Sequence, residues 1–152
     1  MEIQFTQEKE YLISGEIIVI DPQYIFSEEN WKNIEDYVLD VQKIKSGIMN
    51  VNNTEFYIFS TLWGDGVYPV KYEGELIDEI NVDSGYIGIF KKEEFEKITK
   101  DYDLGTLIHL HEKGLITCNT KGILKGLISV DTSNMNDDEE NQDEGDEYWS
   151  EM

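Results

Sequence analysis

The last 22 residues of this chain, from Asp131 to Met152, hold ten Asp or Glu and no Lys. That segregation constrains the fold more than any other feature. A stretch so charged and so poor in aliphatic residues cannot bury enough apolar surface to offset the entropy lost on ordering. The sequence therefore predicts a folded body over residues 1–130 and a disordered acidic tail over 131–152. The whole chain carries 33 acids against 12 Lys, a formal charge of −21. Subtracting the tail leaves 23 acids and 12 Lys in the first 130 residues, so body and tail carry −11 and −10.

The body has the means to fold. Aromatic residues make up 12% of the 152, high for so anionic a chain. Residues 16–20, Glu-Ile-Ile-Val-Ile, form a β-branched run that stops at Asp21-Pro22, which reads as a strand and a turn. Ser27 offers an N-cap, with Glu28 and Glu29 placed favourably in the first turn of a helix. Trp31, Ile34, Val38 and Val41 then fall on one helical face.

From residue 55 the apolar period changes to two. Glu55–Ser60, Val67–Tyr72, Leu76–Val82 and Tyr86–Phe90 read as strands. They are joined by Trp63-Gly64-Asp65-Gly66, Glu73-Gly74 and Asp83-Ser84-Gly85, all turn chemistry. Pro69 within its strand predicts an edge position or a bulge. Lys91–Lys100 reads as a second short helix with Phe95 and Ile98 inward, and Thr106–His111, Leu115–Cys118 and Ile123–Val130 complete the β content. The expected architecture is α+β: an antiparallel β-meander with two short helices.

Three phrases stand out: Asp21-Pro22-Gln23-Tyr24, Gly64-Asp65-Gly66-Val67-Tyr68-Pro69-Val70 and Val82-Asp83-Ser84-Gly85-Tyr86-Ile87-Gly88. In this order the chain resembles, over residues 14–90, a group of small, largely uncharacterised bacterial and phage proteins with DPxY, GDGxYPV and VDSGxIG signatures. The resemblance implies a compact β-rich domain and brings no activity with it.

The N-terminal Met1-Glu2-Ile3-Gln4-Phe5 lacks the basic and apolar regions of a signal peptide. No apolar run approaches the ~20 residues of a membrane span, and the lone Cys118 offers no internal disulfide. The expectation is a soluble cytoplasmic protein. Ala and Arg are absent while Ile, Asn, Lys and Glu abound, as in coding from an AT-rich genome.

Three candidate chemistries follow. Asp21, Asp65 and Asp83 sit at strand ends and could converge as oxygen ligands for Ca²⁺ or Mg²⁺, or each could serve its own turn. His109 and His111 alternate along a strand and would face one side, so they are candidate ligands for Zn²⁺ or Fe²⁺, with Glu112, Asp103 or Cys118 as a third. The competing reading is a pair of half-exposed histidines beside an inward Ile108 and Leu110. Cys118 could pair with a His as a nucleophile, or be a small buried thiol.

No phosphate-binding loop, dinucleotide fingerprint or Gly-x-Ser-x-Gly elbow occurs. The first reading is therefore a non-enzymatic binding protein without a cofactor; the second is a metal-binding domain or metal-dependent enzyme that uses His109 and His111. So anionic a chain repels nucleic acid and acidic membranes and is steered to basic protein surfaces. The acidic tail reads either as a solvated, solubilising appendage or as a docking segment whose candidate contact residues are Asp137, Asp138, Glu139, Glu140, Asp143, Glu144, Asp146 and Glu147, with Tyr148 and Trp149 as aromatic anchors. A nucleic-acid mimic would need the folded acids as well, because duplex DNA carries a charge every ~1.7 Å of axis and an extended chain rises ~3.3–3.6 Å per residue. An inhibitor of a nucleic-acid-handling or defence protein, and an immunity-type partner of a basic toxin, share this physics.

Overall fold

The computed structural model describes residues 2–40, 46–119 and 122–132. Among them are twelve strands in two six-stranded sheets, with two short helices, an α+β arrangement with a β-rich core. In chain order these are β1 (Ile3–Gln7), β2 (Glu10–Ile13), β3 (Glu16–Ile20), α1 (Glu28–Asp40), β4 (Ser46–Val51), β5 (Thr54–Ser60), β6 (Gly66–Tyr72), β7 (Glu75–Val82), β8 (Tyr86–Lys91), α2 (Lys92–Phe95), β9 (Thr106–His109), β10 (Gly114–Cys118), β11 (Ile123–Lys125) and β12 (Ile128–Asp131). The first sheet runs β1-β4-β5-β8-β3-β9 and the second β2-β10-β11-β12-β6-β7, with antiparallel pairing throughout the described ladders.

The first sheet is buried on both faces, and strand alternation assigns its residues. Ile17 and Val19 of β3, Tyr57 and Phe59 of β5, and Ile87 and Ile89 of β8 face the second sheet. There they meet Tyr68 and Val70 of β6, Ile116 and Cys118 of β10, and Val130 of β12 in one core. The alternate residues Ile18, Ile20, Phe56, Ile58 and Phe90 face the other way and pack with Trp31 and Ile34 of α1 and Phe95 of α2. Helices, first sheet and second sheet thus form three layers, which explains why residues 16–20 read as a continuous apolar run. The second sheet turns its other face outward, where Leu12 lies opposite Leu115, each about half exposed.

Several local expectations meet their elements. Ser27 Oγ accepts the Asn30 N–H at 3.1 Å and caps α1, and Trp31 and Ile34 are its buried stripe. The side chains of Val38 and Val41, the rest of that stripe, lie outside the described residues. Glu73 and Gly74, with φ of 51° and 85°, make the two-residue turn between Tyr72 and Glu75, as positive φ at both positions suits a tight hairpin. Pro69 lies beyond the β12 ladder, which ends at Lys71, and next to a register shift that leaves Ile77 as the extra residue of β7.

The single meander does not form. The chain passes from β5 in the first sheet to β6 in the second, and returns from β7 to β8. Only β6 and β7 of those four strands are sequential partners, while β8 pairs with β5 and β3. The turns were legible as reversals, but a reversal does not say which sheet receives the next strand. The second helix is also shorter than Lys91–Lys100. Past Phe95 the amides of Lys97 and Ile98 bond to carbonyls three residues back, a tighter turn that ends the α-helix. The span Ile123–Val130 is two strands about a turn at Gly126 and Leu127.

Candidate docking end of the sandwich

The turns that carry the three phrases meet at one end of the molecule. Asp21 closes β3 and is fully buried. Its Oδ1 accepts the Gln23 N–H at 2.9 Å, which caps the 3₁₀ turn Pro22–Tyr24. Its Oδ2 accepts the amides of Asp83 at 2.7 Å and Ser84 at 2.9 Å, and Ser84 Oγ donates to Oδ1 at 2.7 Å. Four donors satisfy one buried carboxylate, and its charge is offset by hydrogen bonds in place of an ion pair. The Tyr24 hydroxyl donates to Asp83 Oδ2 at 2.5 Å. Burial, and then that bond and the Asp83 charge, push the Tyr24 hydroxyl pKa well above its ordinary value.

The second phrase joins through glycine. Gly85 lies beside Gly64, where a Cβ would make an ordinary 3.7 Å contact with Gly64 Cα, and it is the φ of +84° that calls for glycine there. The Gly85 carbonyl accepts the Thr61 N–H at 2.9 Å. Gly64 O accepts two hydroxyls, Thr61 Oγ1 at 2.6 Å and Tyr68 at 3.0 Å. Asp65 and Asp83 are exposed at this end, whereas Asp21 is consumed by its backbone donors. The three aspartates therefore share a region but do different jobs, and that of Asp21 is to hold two turns together.

A third segment completes the end. Gly122, at φ +72°, lies where any Cβ would overlap Thr132 Oγ1 at 2.3 Å and press on Leu62 N at 3.0 Å. Thr132 is fully buried. Its hydroxyl donates to Gly122 O at 2.5 Å and accepts the Leu62 N–H at 3.1 Å. The body thus remains anchored two residues past Val130, where the sequence placed its boundary. The contact residues read from the sequence, Asp137, Asp138, Glu139, Glu140, Asp143, Glu144, Asp146, Glu147, Tyr148 and Trp149, lie outside the described residues.

The histidines stand elsewhere. His109 ends β9 and its Nδ1 lies 3.8 Å from Glu16 Oε2, at the start of β3 in the first sheet. His111 lies just beyond β9, with Nε2 3.5 Å from Glu73 Oε1 in the β6–β7 turn of the second sheet. Its ring packs on Tyr72 with centroids 5.2 Å apart, and the His111 backbone N–H donates to the Tyr72 hydroxyl at 2.8 Å. Both side chains are largely exposed, 77% and 66%, but the strand ends at His109, so the alternation expected to bring both imidazoles to one side does not extend to His111, and each has its own carboxylate neighbour. Among the described residues no group of three or more His, Cys, Asp or Glu is arranged to hold a metal ion. Cys118 is buried in the inter-sheet core, and burial pushes its thiol up to about 12.

Sequence reasoning missed Thr132 and Gly122. The Gly in Lys121-Gly122 was a visible turn signal, but its packing against Thr132 arises from distant segments. No helix among the described residues is long and apolar enough to cross a membrane. Compared with known proteins, the chain matches no family model, no curated protein and no solved structure.

Proposed function

We propose that this chain is a non-enzymatic acidic binding protein that occupies a basic surface of a partner protein and inhibits it by occlusion. The observation that carries this reading is the distribution of charge: −10 in the last 22 residues on a body of −11. Exposed Asp65, Asp83 and Asp131 lie at the end from which the acidic segment continues. An anionic surface of this kind raises encounter rates with cationic partners and disfavours anionic ones. The fitting partner is a protein with a cationic groove, the chemistry of nucleic-acid-handling proteins and basic toxins alike. The acids of residues 137–147 supply charge, and Tyr148 and Trp149 are the aromatic anchors of that segment.

The test is capture from lysate of the source cell on the full chain, eluted in salt steps. The comparison is a full-length variant whose nine acids after Thr132 are changed to their amides. A basic partner held by the native chain, released by moderate salt and lost by the amide variant, is the expected result. Capture that is equal on both chains and unaffected by salt contradicts the reading.

A further inference from the structure

A strand at the margin of a sheet leaves backbone groups unpaired, and proteins guard such margins with charge, proline, bulges, short length or cover. Of the four marginal strands among the described residues, three are guarded. β7 carries Glu75, Asp78 and Glu79 and a register shift opposite Val70 and Lys71, and Asp78 Oδ1 accepts the Glu79 N–H at 2.8 Å. β9 lies against β7, where Thr106 Oγ1 donates to Asp78 Oδ2 at 2.8 Å, and β2 is only four residues long. β1 has none of these devices. Its residues Ile3, Gln4, Phe5, Thr6 and Gln7 are uncharged in a chain of which 30% is charged, and they pair with β4 without a register shift.

The phase of that ladder places the unpaired groups. The Glu8 N–H donates to Ser46 O at 3.2 Å and the Asn52 N–H to Glu2 O at 2.9 Å, so the even-numbered residues of β1 exchange bonds with β4. The N–H and C=O of Ile3, Phe5 and Gln7 therefore point away from β4, and no described strand lies beyond them. The side chains of Ile3 and Phe5 pack on the core beneath the helices, while Gln4 and Thr6 are exposed on the other face. Past β1 the surface stays open, with a groove of about 490 Å³ along Gln7, Glu8, Lys9 and Glu10. Glu2, Glu8 and Glu10 against Lys9 make the flanks of the strand acidic.

These features specify the occupant. A second copy, paired antiparallel about Phe5, would set Glu2 opposite Glu8 at both ends, and like charges directly across a ladder are destabilising. An extended segment with Lys or Arg at those two places meets carboxylates instead. Between them, apolar side chains opposite Ile3, Phe5 and Gln7 continue the core side, and hydroxyl side chains fall beside Gln4 and Thr6. We infer that the open margin of β1 is a docking site for an extended, Lys- or Arg-flanked segment of a partner protein, added as a seventh, antiparallel strand of the first sheet. Main-chain bonds with Ile3, Phe5 and Gln7 supply the affinity, and the flanking charges the selectivity. The inference goes beyond the function proposed above, because residues 133–152 take no part in it.

The probe is the acetylated and amidated peptide Lys-Val-Thr-Val-Thr-Val-Lys, titrated into the nitrogen-15-labelled full chain and followed by NMR amide exchange. At about nine-tenths occupancy the amides of Ile3, Phe5 and Gln7 should exchange about ten-fold more slowly, because only the free tenth of the chains exposes them. N-methylation of the central valine removes the donor that faces the Phe5 carbonyl and should weaken binding about ten-fold, the scale of one hydrogen bond. Glu in place of both Lys should weaken it at least as much. Gln7→Pro removes an outward N–H and leaves the β4 ladder intact. It should melt with the native chain and bind the peptide several-fold more weakly. The inference is overturned if the N-methyl or the Glu-flanked peptide binds as tightly as the parent, or if the slowed amides are not those of Ile3, Phe5 and Gln7. Slow exchange of the same three amides without peptide, growing with protein concentration, would assign the margin to a second copy and overturn it equally.

Discussion

The hydroxyl of Thr132 accepts the Leu62 amide at 3.1 Å and donates to the Gly122 carbonyl at 2.5 Å, joining the end of the last strand to the loop that carries Trp63. One buried side chain thereby sets both where the acidic segment leaves the body and how the exposed indole is presented.

Replacing that hydroxyl by a methyl of the same shape leaves the Leu62 amide without its partner and takes from the buried Gly122 carbonyl one of its two donors, the other being the Thr132 N–H at 3.1 Å. Thr132→Val should lower stability by about 1–3 kcal/mol in urea unfolding. Thr132→Ser, which keeps the hydroxyl, should lose less. Equal losses for the two variants would show that packing, and not the hydrogen bonds, fixes this junction.

Asp21 is a stronger support. Asp21→Ala strands the amides of Gln23, Asp83 and Ser84 and leaves the Ser84 hydroxyl only the Tyr86 carbonyl at 3.4 Å, and should cost about 3 kcal/mol or more. Tyr24→Phe removes one bond at an exposed site and should cost under about 1 kcal/mol. Denaturation midpoints of the two variants rank them directly, and a reversed order would remove Asp21 as the organiser of this end.

How far the sequence could be read follows from the same residues. Ser27, the β-branched run of β3 and the paired turn residues Glu73-Gly74 act through near neighbours, so their signals are local and legible. The strands β1, β2 and β4 are weaker as text. Leu12 of β2 points outward, and β1 and β4 alternate only partly, so tertiary pairing decides them. The sheet exchange between β5 and β6, and the meeting of Gly122, Leu62 and Thr132, depend on contacts between segments 10 to 70 residues apart. The turn role of Asp21 was one of two readings available from sequence; the amides it collects from residues 83 and 84 were not.

The carboxyl of Glu94 gives a pH signature. Burial opposes its ionisation, but the Glu55 amide at 2.9 Å and the Lys97 ammonium at 3.0 Å outweigh this and hold its pKa below the ordinary 4.5 of a glutamate. A carboxyl depressed in the folded state adds stability above its unfolded pKa and loses it as pH falls through the folded one. The stability difference between the native chain and Glu94→Gln should be level at neutral pH and shrink below about pH 4.5. A difference that is constant into acid would show that Glu94 acts through packing alone.

For the histidines, the carboxylate neighbours Glu16 and Glu73 lie on different sheets. The account predicts that titration with Zn²⁺ gives the same weak response for the native chain and for the His109→Ala, His111→Ala double variant. A stoichiometric, tight uptake lost in the double variant would establish a metal site there.

The central claim concerns charge, and the salt dependence of affinity for the captured partner tests it most directly. Raising salt from about 50 to about 300 mM should weaken binding at least about ten-fold, because screening shortens the reach of both partners' charges. The amide variant should start weaker and respond less. An affinity indifferent to salt, and equal for both chains, would contradict the account.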